Sequence, residues 1–327
     1  MMGRGKLYIA ILLGSLLAGW GCSKNPGTNV SPTSSTLVAA SQYLGRWDLT
    51  VKTPARDYPS WIEVSEVQGQ TKVLVVGFGG SATPAANAQV VNGTIEFSMP
   101  AHPADYDGPD QFTGKLVNNE LVGTATGPHG ATLQWTGRKA PALEPQAAPK
   151  WGKPIRLFNG KNLDGWKLRH PERPDVWKVE HGILVKNGSG SGIITNSNFE
   201  NFQLHLQFKC GPMSNSGVYL RGRYEVQIET DSADQPSLNH TGAVYGFIAP
   251  NPEQPRRSGV WQTLDITFVG RTLTVVQNGV TIIDQKAIPG ITGGAINSDE
   301  GAPGPIVLQG SEAGRVEFRN IVITPAQ

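Results

Sequence analysis

The chain has 327 residues, enough for two ordinary domains with a core each. Its 28 Lys and Arg stand against 26 Asp and Glu; the first 21 residues hold two bases, Arg4 and Lys6, and no acid, so 28 minus 2 leaves 26 against 26 without them. A formally neutral chain lacks the basic surface that nucleic acid or an anionic membrane needs, and no nucleic-acid partner is expected.

Residues 1–22 read as an export signal. Arg4 and Lys6 make a basic start, and Leu7–Ala18 is an apolar run too short to span a bilayer comfortably. Gly19-Trp20-Gly21-Cys22 follows, resembling a bacterial lipoprotein signal in which Cys22 is lipidated and becomes the new N-terminus. Gly19 and Trp20 depart from that pattern; an ordinary secretory signal and an uncleaved anchor are the other readings. The expected location is exported, on the periplasmic face of the outer membrane or the cell surface. With Cys22 lipidated, the two cysteines, Cys22 and Cys210, cannot bridge, and the cores alone hold the fold. Residues 23–41, rich in Ser, Thr, Asn, Pro and Gly, read as a flexible tether.

Residues 42–139 alternate short apolar runs with turns. Strands are expected at Gly45–Val51, Trp61–Val64, Lys72–Val76, Thr94–Phe97, Phe112–Val117, Leu121–Ala125 and Ala131–Trp135, with a hairpin at Asn118-Asn119. So many linked strands in so short a stretch predict a small antiparallel β-barrel-like domain. Trp47 and Trp135 are expected to plug it; a lipocalin-like pocket is the other reading. His102 and His129 have no metal-like spacing. Residues 140–153, with Pro141, Pro145 and Pro149, form a linker that cannot be helical.

Residues 154–327 contain strand-like runs, an Asn278-Gly279 hairpin and no helical periodicity. The expected fold is all-β, a jelly-roll sandwich whose concave sheet forms a groove. Within Gly217–Glu229, read as one run, Val218, Leu220, Val226 and Ile228 recur with period two. Tyr219, Arg221, Arg223, Glu225, Gln227 and Glu229 then share the opposite face. That face is either an exposed charged ladder or a site for a polar ligand.

Leu157-Phe158-Asn159-Gly160 with Leu163-Asp164-Gly165-Trp166 is the first of an ordered set of motifs. Asn215-Ser216-Gly217-Val218-Tyr219-Leu220-Arg221, Tyr224-Glu225-Val226-Gln227-Ile228, Thr241-Gly242-Ala243-Val244-Tyr245 and Trp261-Gln262-Thr263-Leu264-Asp265-Ile266 continue it. Gly304-Pro305-Ile306-Val307-Leu308-Gln309-Gly310 and Phe318-Arg319-Asn320-Ile321 close it. Over about residues 153–325 this set resembles the 3-keto-disaccharide hydrolase domain family. The resemblance implies a concanavalin-like jelly roll acting on sugars oxidised to a ketone at C3, cleaved by hydrolysis or by elimination and hydration. A 3-keto disaccharide or glycoside is the implied substrate; many members are exported and some are lipoproteins.

A C3 ketone acidifies the C2 proton, so such a site needs a base near C2, an electrophile for the C3 oxygen and an acid for the leaving group. His240 is the expected base, the other reading being a loop residue that caps a turn. Arg221 and Arg223 are expected to hold the enolate oxygen or sugar hydroxyls, or else to pair with Glu225 and Glu229. Glu225 is expected to serve as acid or base. Tyr219, Gln227, Tyr245, Gln309 and Asp299 are the expected sugar contacts, with Gln309 sharing a face with Val307. The loop Asn297–Gly301 either closes one end of the groove or turns the chain. The residues make no cofactor certain; a divalent ion is one candidate electrophile, with Glu229 and Asp231 as the first ligands and Glu225, His240 and His205 as others. Trp166 and Trp261 are expected in the core rather than stacked on sugar, and Cys210 as a packed thiol. Two rival readings remain: a retaining β-glucanase using Glu225 and Glu229, and a non-catalytic glycan-binding lipoprotein.

Overall fold

Alternating apolar residues build the first sheet. A computed structural model describes residues 41–54, 56–77, 80–99, 110–143, 149–230 and 237–327, with no α-helix among them. The strands β1 (Gly45–Lys52), β2 (Asp57–Val67), β3 (Gln70–Val76), β4 (Ala82–Pro84), β5 (Ala86–Val91), β6 (Thr94–Ser98), β7 (Gln111–Val117), β8 (Glu120–Thr126) and β9 (Thr132–Lys139) form one antiparallel sheet. Its order is β4-β3-β2-β1-β9-β8-β7-β6-β5, and β3 approaches β5, so the sheet curls into a nearly closed barrel. The inward positions Trp47, Leu49, Ile62, Ile95, Phe97, Leu121 and Trp135 fill it. Trp135 lies over two bare glycines: a Cβ on Gly114 or Gly123 would come within 2.4 or 2.7 Å of the indole. Packed tryptophan therefore occupies the space that a lipocalin-like pocket would need. β4 and β5 were not among the expected strands, although Ala86, Ala88 and Val90 alternate with polar residues there.

The second unit is a two-sheet sandwich. Its strands begin with β10 (Ile155–Arg156), β11 (Trp166–Leu168), β12 (Trp177–Glu180), β13 (Ile183–Asn187), β14 (Ile193–Thr195), β15 (Phe202–Cys210), β16 (Asn215–Leu220) and β17 (Tyr224–Glu229). They end with β18 (Gln262–Val269), β19 (Thr272–Gln277), β20 (Val280–Ala287), β21 (Val307–Leu308) and β22 (Arg315–Pro325). One sheet runs β12-β13-β22-β15-β18-β19-β20 with β10 beside β22; the other runs β11-β14-β21-β16-β17. Between them lie the even positions of β15 (Phe202, Leu204, Leu206, Phe208) against Val218, Val226, Ile228 and Leu308, with Cys210 buried at the edge. The all-β, jelly-roll class expected from the periodicity is the fold observed. Trp166 is a core residue whose indole N–H donates to Leu157 O at 2.7 Å. Trp261 is not in the core; it lies on the larger sheet under the Arg319 guanidinium, 4.0 Å away.

The two units share a seam made by segment 288–302. Trp61 of β2 enters the sandwich core and donates its indole N–H to Ile291 O at 3.0 Å. Ser298 lies 3.0 Å from the Thr50 hydroxyl and donates to Leu49 O, and Glu300 pairs with Arg46 while accepting from the Tyr224 phenol at 3.0 Å. The loop expected either to close one end of the groove or to turn the chain clamps the barrel to the sandwich. Asp48 sits at the same seam, and burial, reinforced by the Glu300 carboxylate, raises its pKa from 3.8 to about 8. Folded Asp48 keeps a proton that the unfolded chain releases, so its contribution to stability is complete at low pH and is lost as pH rises from about 4 towards 8. Unfolding stability is expected to fall by up to about 1.4 kcal/mol per pH unit for this group across that window. Asp48→Asn should flatten that part of the slope in urea midpoints measured from pH 5 to 8.5.

Candidate active site

The stretch read as one strand is a hairpin. β16 ends at Leu220, Arg221-Gly222-Arg223 turns the chain with Arg221 and Gly222 at φ +50° and +67°, and β17 returns. The register sets Tyr219 opposite Glu225, Gly217 opposite Gln227 and Asn215 opposite Glu229. Side chains at these odd positions share one face because the strands pair in register. That face, with β21, floors a cavity of about 470 Å³, within the range of small-molecule sites. Tyr219, Glu225, Gln227, Tyr245 and Gln309 line it, with Val307 beside Gln309 as their shared face requires.

Glu225 is the chemical centre of this wall. The side chain is buried, Oε1 has no hydrogen-bond partner, and Oε2 lies 2.8 Å from the Tyr219 phenol oxygen. That phenol is also 3.0 Å from Gly293 O. A phenol has one proton and a carbonyl only accepts. When Tyr219 donates to Gly293, a Glu225 protonated on Oε2 donates to Tyr219; when Tyr219 donates to Oε2, Glu225 is either ionised or protonated on Oε1. Burial raises Glu225 to about 8, with the Tyr219 hydrogen bond and the Arg169 charge opposing and Glu312 adding to the rise. Near neutral pH the group is mainly a carboxylic acid with one oxygen, Oε1, unpartnered beside Gly217. Burial and the neighbouring Glu225 push Tyr219 well above 10, so the phenol stays protonated. Gly217 makes the space: a Cβ there would stand 2.1 Å from Glu225 Oε1.

The other wall was not read from the sequence. Arg169, His170 and Arg173, from the loop after β11, line the cavity. Arg169 donates to Gly294 O at 2.7 Å and Ala295 O at 3.1 Å, which leaves further N–H groups for a ligand. The His170 ring nitrogen Nδ1 is 3.3 Å from Glu172. Burial, then the charges of Arg169, Arg173 and Arg56, hold its pKa below the usual 6.5, so the ring is a neutral imidazole at pH 7. The signal was present: Arg169-His170-Pro171-Glu172-Arg173-Pro174 is a proline-bounded basic run in a loop.

Five expected site residues, Arg221, Arg223, His240, Asp299 and Glu229, lie elsewhere. Arg221 and Arg223 fall in the turn, where alternation no longer holds. Arg221 donates to Glu200 O at 2.8 Å, Glu300 O at 3.3 Å and Gly270 O, with its guanidinium 4.7 Å from the Phe268 ring. Arg223 donates to Asn297 Oδ1 at 2.8 Å and to Arg221 O and Ala302 O at 3.0 Å. Both are buried struts under the seam, committed to carbonyls, and neither lines the cavity. His240 faces Glu253, Nδ1 to Oε2 at 3.3 Å, outside the cavity lining. Asp299 is an exposed residue of the seam loop. Glu229 is buried, ion-paired with Arg256 at 3.1 Å and accepting from Thr241 N at 3.1 Å. That partnership takes the carboxylate expected to bind a metal, and Asp231 lies outside the described residues. His205 pairs with Asp265 at 2.7 Å on the other sheet. Among the described residues no three His, Cys, Asp or Glu side chains gather as a metal-binding set. The β-glucanase pair is split too: a retaining mechanism needs two carboxyls about 5–5.5 Å apart across the sugar, but Glu225 lines the cavity and Glu229 does not.

The family model of the 3-keto-α-glucoside-1,2-lyase-like domain matches residues 153–324, just over half of the chain. The chain belongs to this family. It is also 30% identical over 166 aligned positions to the 3-keto-disaccharide hydrolase of Bacteroides thetaiotaomicron; the match covers 40% of this chain and 57% of that relative, so little more than half of the relative's length is spanned. Two solved structures of Parabacteroides distasonis proteins proposed as glycosyl hydrolases are similar. One is 23% identical over 53% of this chain and 94% of its own, with a TM-score of 0.45; the other is 27% identical over 56% and 94%, with a TM-score of 0.44. The family is one of carbohydrate-active, glycoside-hydrolase-like domains. Glu225, Tyr219, His170 and Arg169 all lie in the family domain, whereas Arg56 and Gly80 reach the cavity from the barrel.

Proposed function

We propose that this chain cleaves glycosides whose sugar carries a ketone at C3, by removing the C2 proton, expelling the C1 oxygen substituent and adding water. The observation that carries it is Glu225, a buried neutral acid with an unshared oxygen, in the lining of a cavity that also holds a neutral imidazole. His170 takes the C2 proton, and the remaining N–H groups of Arg169 hold the enolate formed at the C3 oxygen. Glu225 gives its proton to the departing C1 oxygen, leaving a C1–C2 double bond. Water then adds its hydroxyl to C1 and a proton to C2, so the sum is hydrolysis. Tyr219 donates to Glu225 Oε2, which leaves the acid proton on the unpartnered Oε1. Asn215, Gln227 and Gln309 offer hydrogen bonds to sugar hydroxyls.

Incubation with 3-keto-trehalose, 3-keto-sucrose and 3-keto-glucosides in deuterated water tests the reaction. Deuterium at C2 of the released sugar is expected; cleavage with protium retained there would exclude proton abstraction. Binding without turnover of any 3-keto substrate would favour a glycan-binding protein instead. The roles separate by variant. His170→Ala should lose both C2 exchange and cleavage, each by about 10²–10⁴-fold. We place this activity at the cell envelope, with Cys22 lipidated; mass spectrometry of the N-terminal peptide should show acylated Cys22, and a bare thiol there would remove the anchor.

A further inference from the structure

The cavity holds more positive charge than a neutral sugar needs. Arg56, Arg169 and Arg173 line it together, with Glu312 also in the lining and Glu172 beside His170. Glu225 adds no charge while protonated. Neither Arg56 nor Arg173 has a side-chain hydrogen bond or ion pair among the described residues. Asn215, Gln227 and Gln309 already supply neutral donors and acceptors of the kind that read hydroxyls. Three arginines outnumber the acids around them, so like charges repel one another and a bound anion relieves that repulsion.

Arg56 is placed there by the barrel. It ends the β1–β2 connection, whose backbone is pinned by Thr53: Oγ1 donates to Arg56 O at 2.6 Å and accepts from Arg56 N at 3.2 Å. The same sheet supplies Gly80, which packs on Gly293 so closely that a Cβ on Gly293 would meet the Gly80 Cα at 2.4 Å. Trp61 and the Arg46–Glu300 pair hold the barrel to the sandwich. The barrel is thus a wall of the cavity. Its arginine lies outside the family domain, and it faces a planar bidentate acceptor better than a hydroxyl.

We propose that the sugar accepted in this cavity carries an anionic substituent, a carboxylate or a phosphate, and that Arg56 of the barrel with Arg173 reads it. This rests on the sugar-cleaving reading of the same cavity and adds the charge of the substrate to it.

Two measurements on the full chain separate the two ideas. Binding of glucuronate, glucose 6-phosphate and glucose is titrated by calorimetry, without any chemistry. At least one anion should bind ten-fold or more tightly than glucose, with the advantage shrinking as salt rises. Arg56→Ala should bring the ratio towards one, while Arg138→Ala, an exposed barrel arginine paired with Glu120 and outside the cavity lining, keeps it. Which anion wins identifies carboxylate or phosphate as the group read. Equal binding of all three, or a preference that survives Arg56→Ala, overturns the proposal. Turnover of a 3-keto-glucoside, its 6-phosphate and the 3-keto-glucuronide is the second measurement. If the arginines serve only the enolate, Arg56→Ala lowers kcat by the same factor for all three and KM discrimination is absent, which also overturns it. Anion-selective binding without turnover of any 3-keto sugar would sink the reaction and leave the charge reading standing.

Discussion

Glu225→Gln is expected to lower kcat for a 3-keto-glycoside by about 10²–10⁴-fold, the span of a general acid, with the fold intact. Gln is nearly isosteric with a neutral carboxylic acid, which is the state that burial imposes on Glu225 at pH 7. Its amide accepts from Tyr219 through Oε1 or donates to it, so the buried phenol keeps a partner. What it lacks is a transferable proton. Exchange of the C2 proton, the task given to His170, should therefore continue in deuterated water while release of the C1 substituent stops. The pH profile gives a second readout. The wild type needs a neutral His170 and a protonated Glu225, so kcat/KM should fall on the acid side below the ordinary imidazole pKa and on the alkaline side near 8. In the variant the residual rate should lose the alkaline limb. Stability follows with the opposite sense to an ordinary surface acid: folded Glu225 holds its proton up to about 8 while the unfolded side chain releases it near 4.5. Its contribution is lost as pH rises through that window, so the variant should gain on the wild type above pH 5. An unchanged kcat, or loss of C2 exchange together with cleavage, would remove Glu225 from the acid role.

Period-two alternation made the sandwich readable, because a strand half in the core must alternate. It located Val218, Val226 and Ile228 in the core and Tyr219, Glu225 and Gln227 opposite them. The same rule failed at Arg221 and Arg223. Alternation carries no information about a turn, and Gly222, at φ +67°, was the only local mark that the run was broken. The price of reading one strand was two arginines assigned to a wall that they support from beneath. Glu229 obeyed the alternation but was captured by Arg256, far along the chain; such pairings have no local signature. Arg169, His170 and Arg173 sit in a loop, where no periodicity applies and only composition could point to them. Arg56 was out of reach for a different reason. Its place depends on how the barrel docks, through Trp61, Leu49 and Arg46, and no motif within either unit encodes that contact. The seam loop shows the same limit: polar residues at 297–301 look alike whether they line a groove or clamp a neighbour.

Gly217→Ala tests whether the position of Glu225, rather than its presence, sets the rate. The new Cβ would fall 2.1 Å from Oε1 and 2.9 Å from Cγ and Cδ of Glu225, far inside contact distance. The glutamate cannot swing away freely, because it is buried and tied to Tyr219, which in turn is fixed between Gly293 and Glu225. Overpacking of this kind costs about 1–3 kcal/mol. Displacing the acid by about 1 Å is enough for a loss near 10²-fold in kcat, with KM for the sugar changing far less. The cost should vanish when the carboxylate is removed. In the double variant Gly217→Ala, Glu225→Ala the methyl has the space left by the side chain, so its stability should exceed the sum of the singles by about 0.5–3 kcal/mol. Its activity should match that of Glu225→Ala alone, since no acid remains to be misplaced. Additive stabilities, or a Gly217→Ala enzyme of wild-type kcat, would mean that Glu225 has room the geometry denies it, and that a fixed Oε1 is not what the hairpin is built to provide.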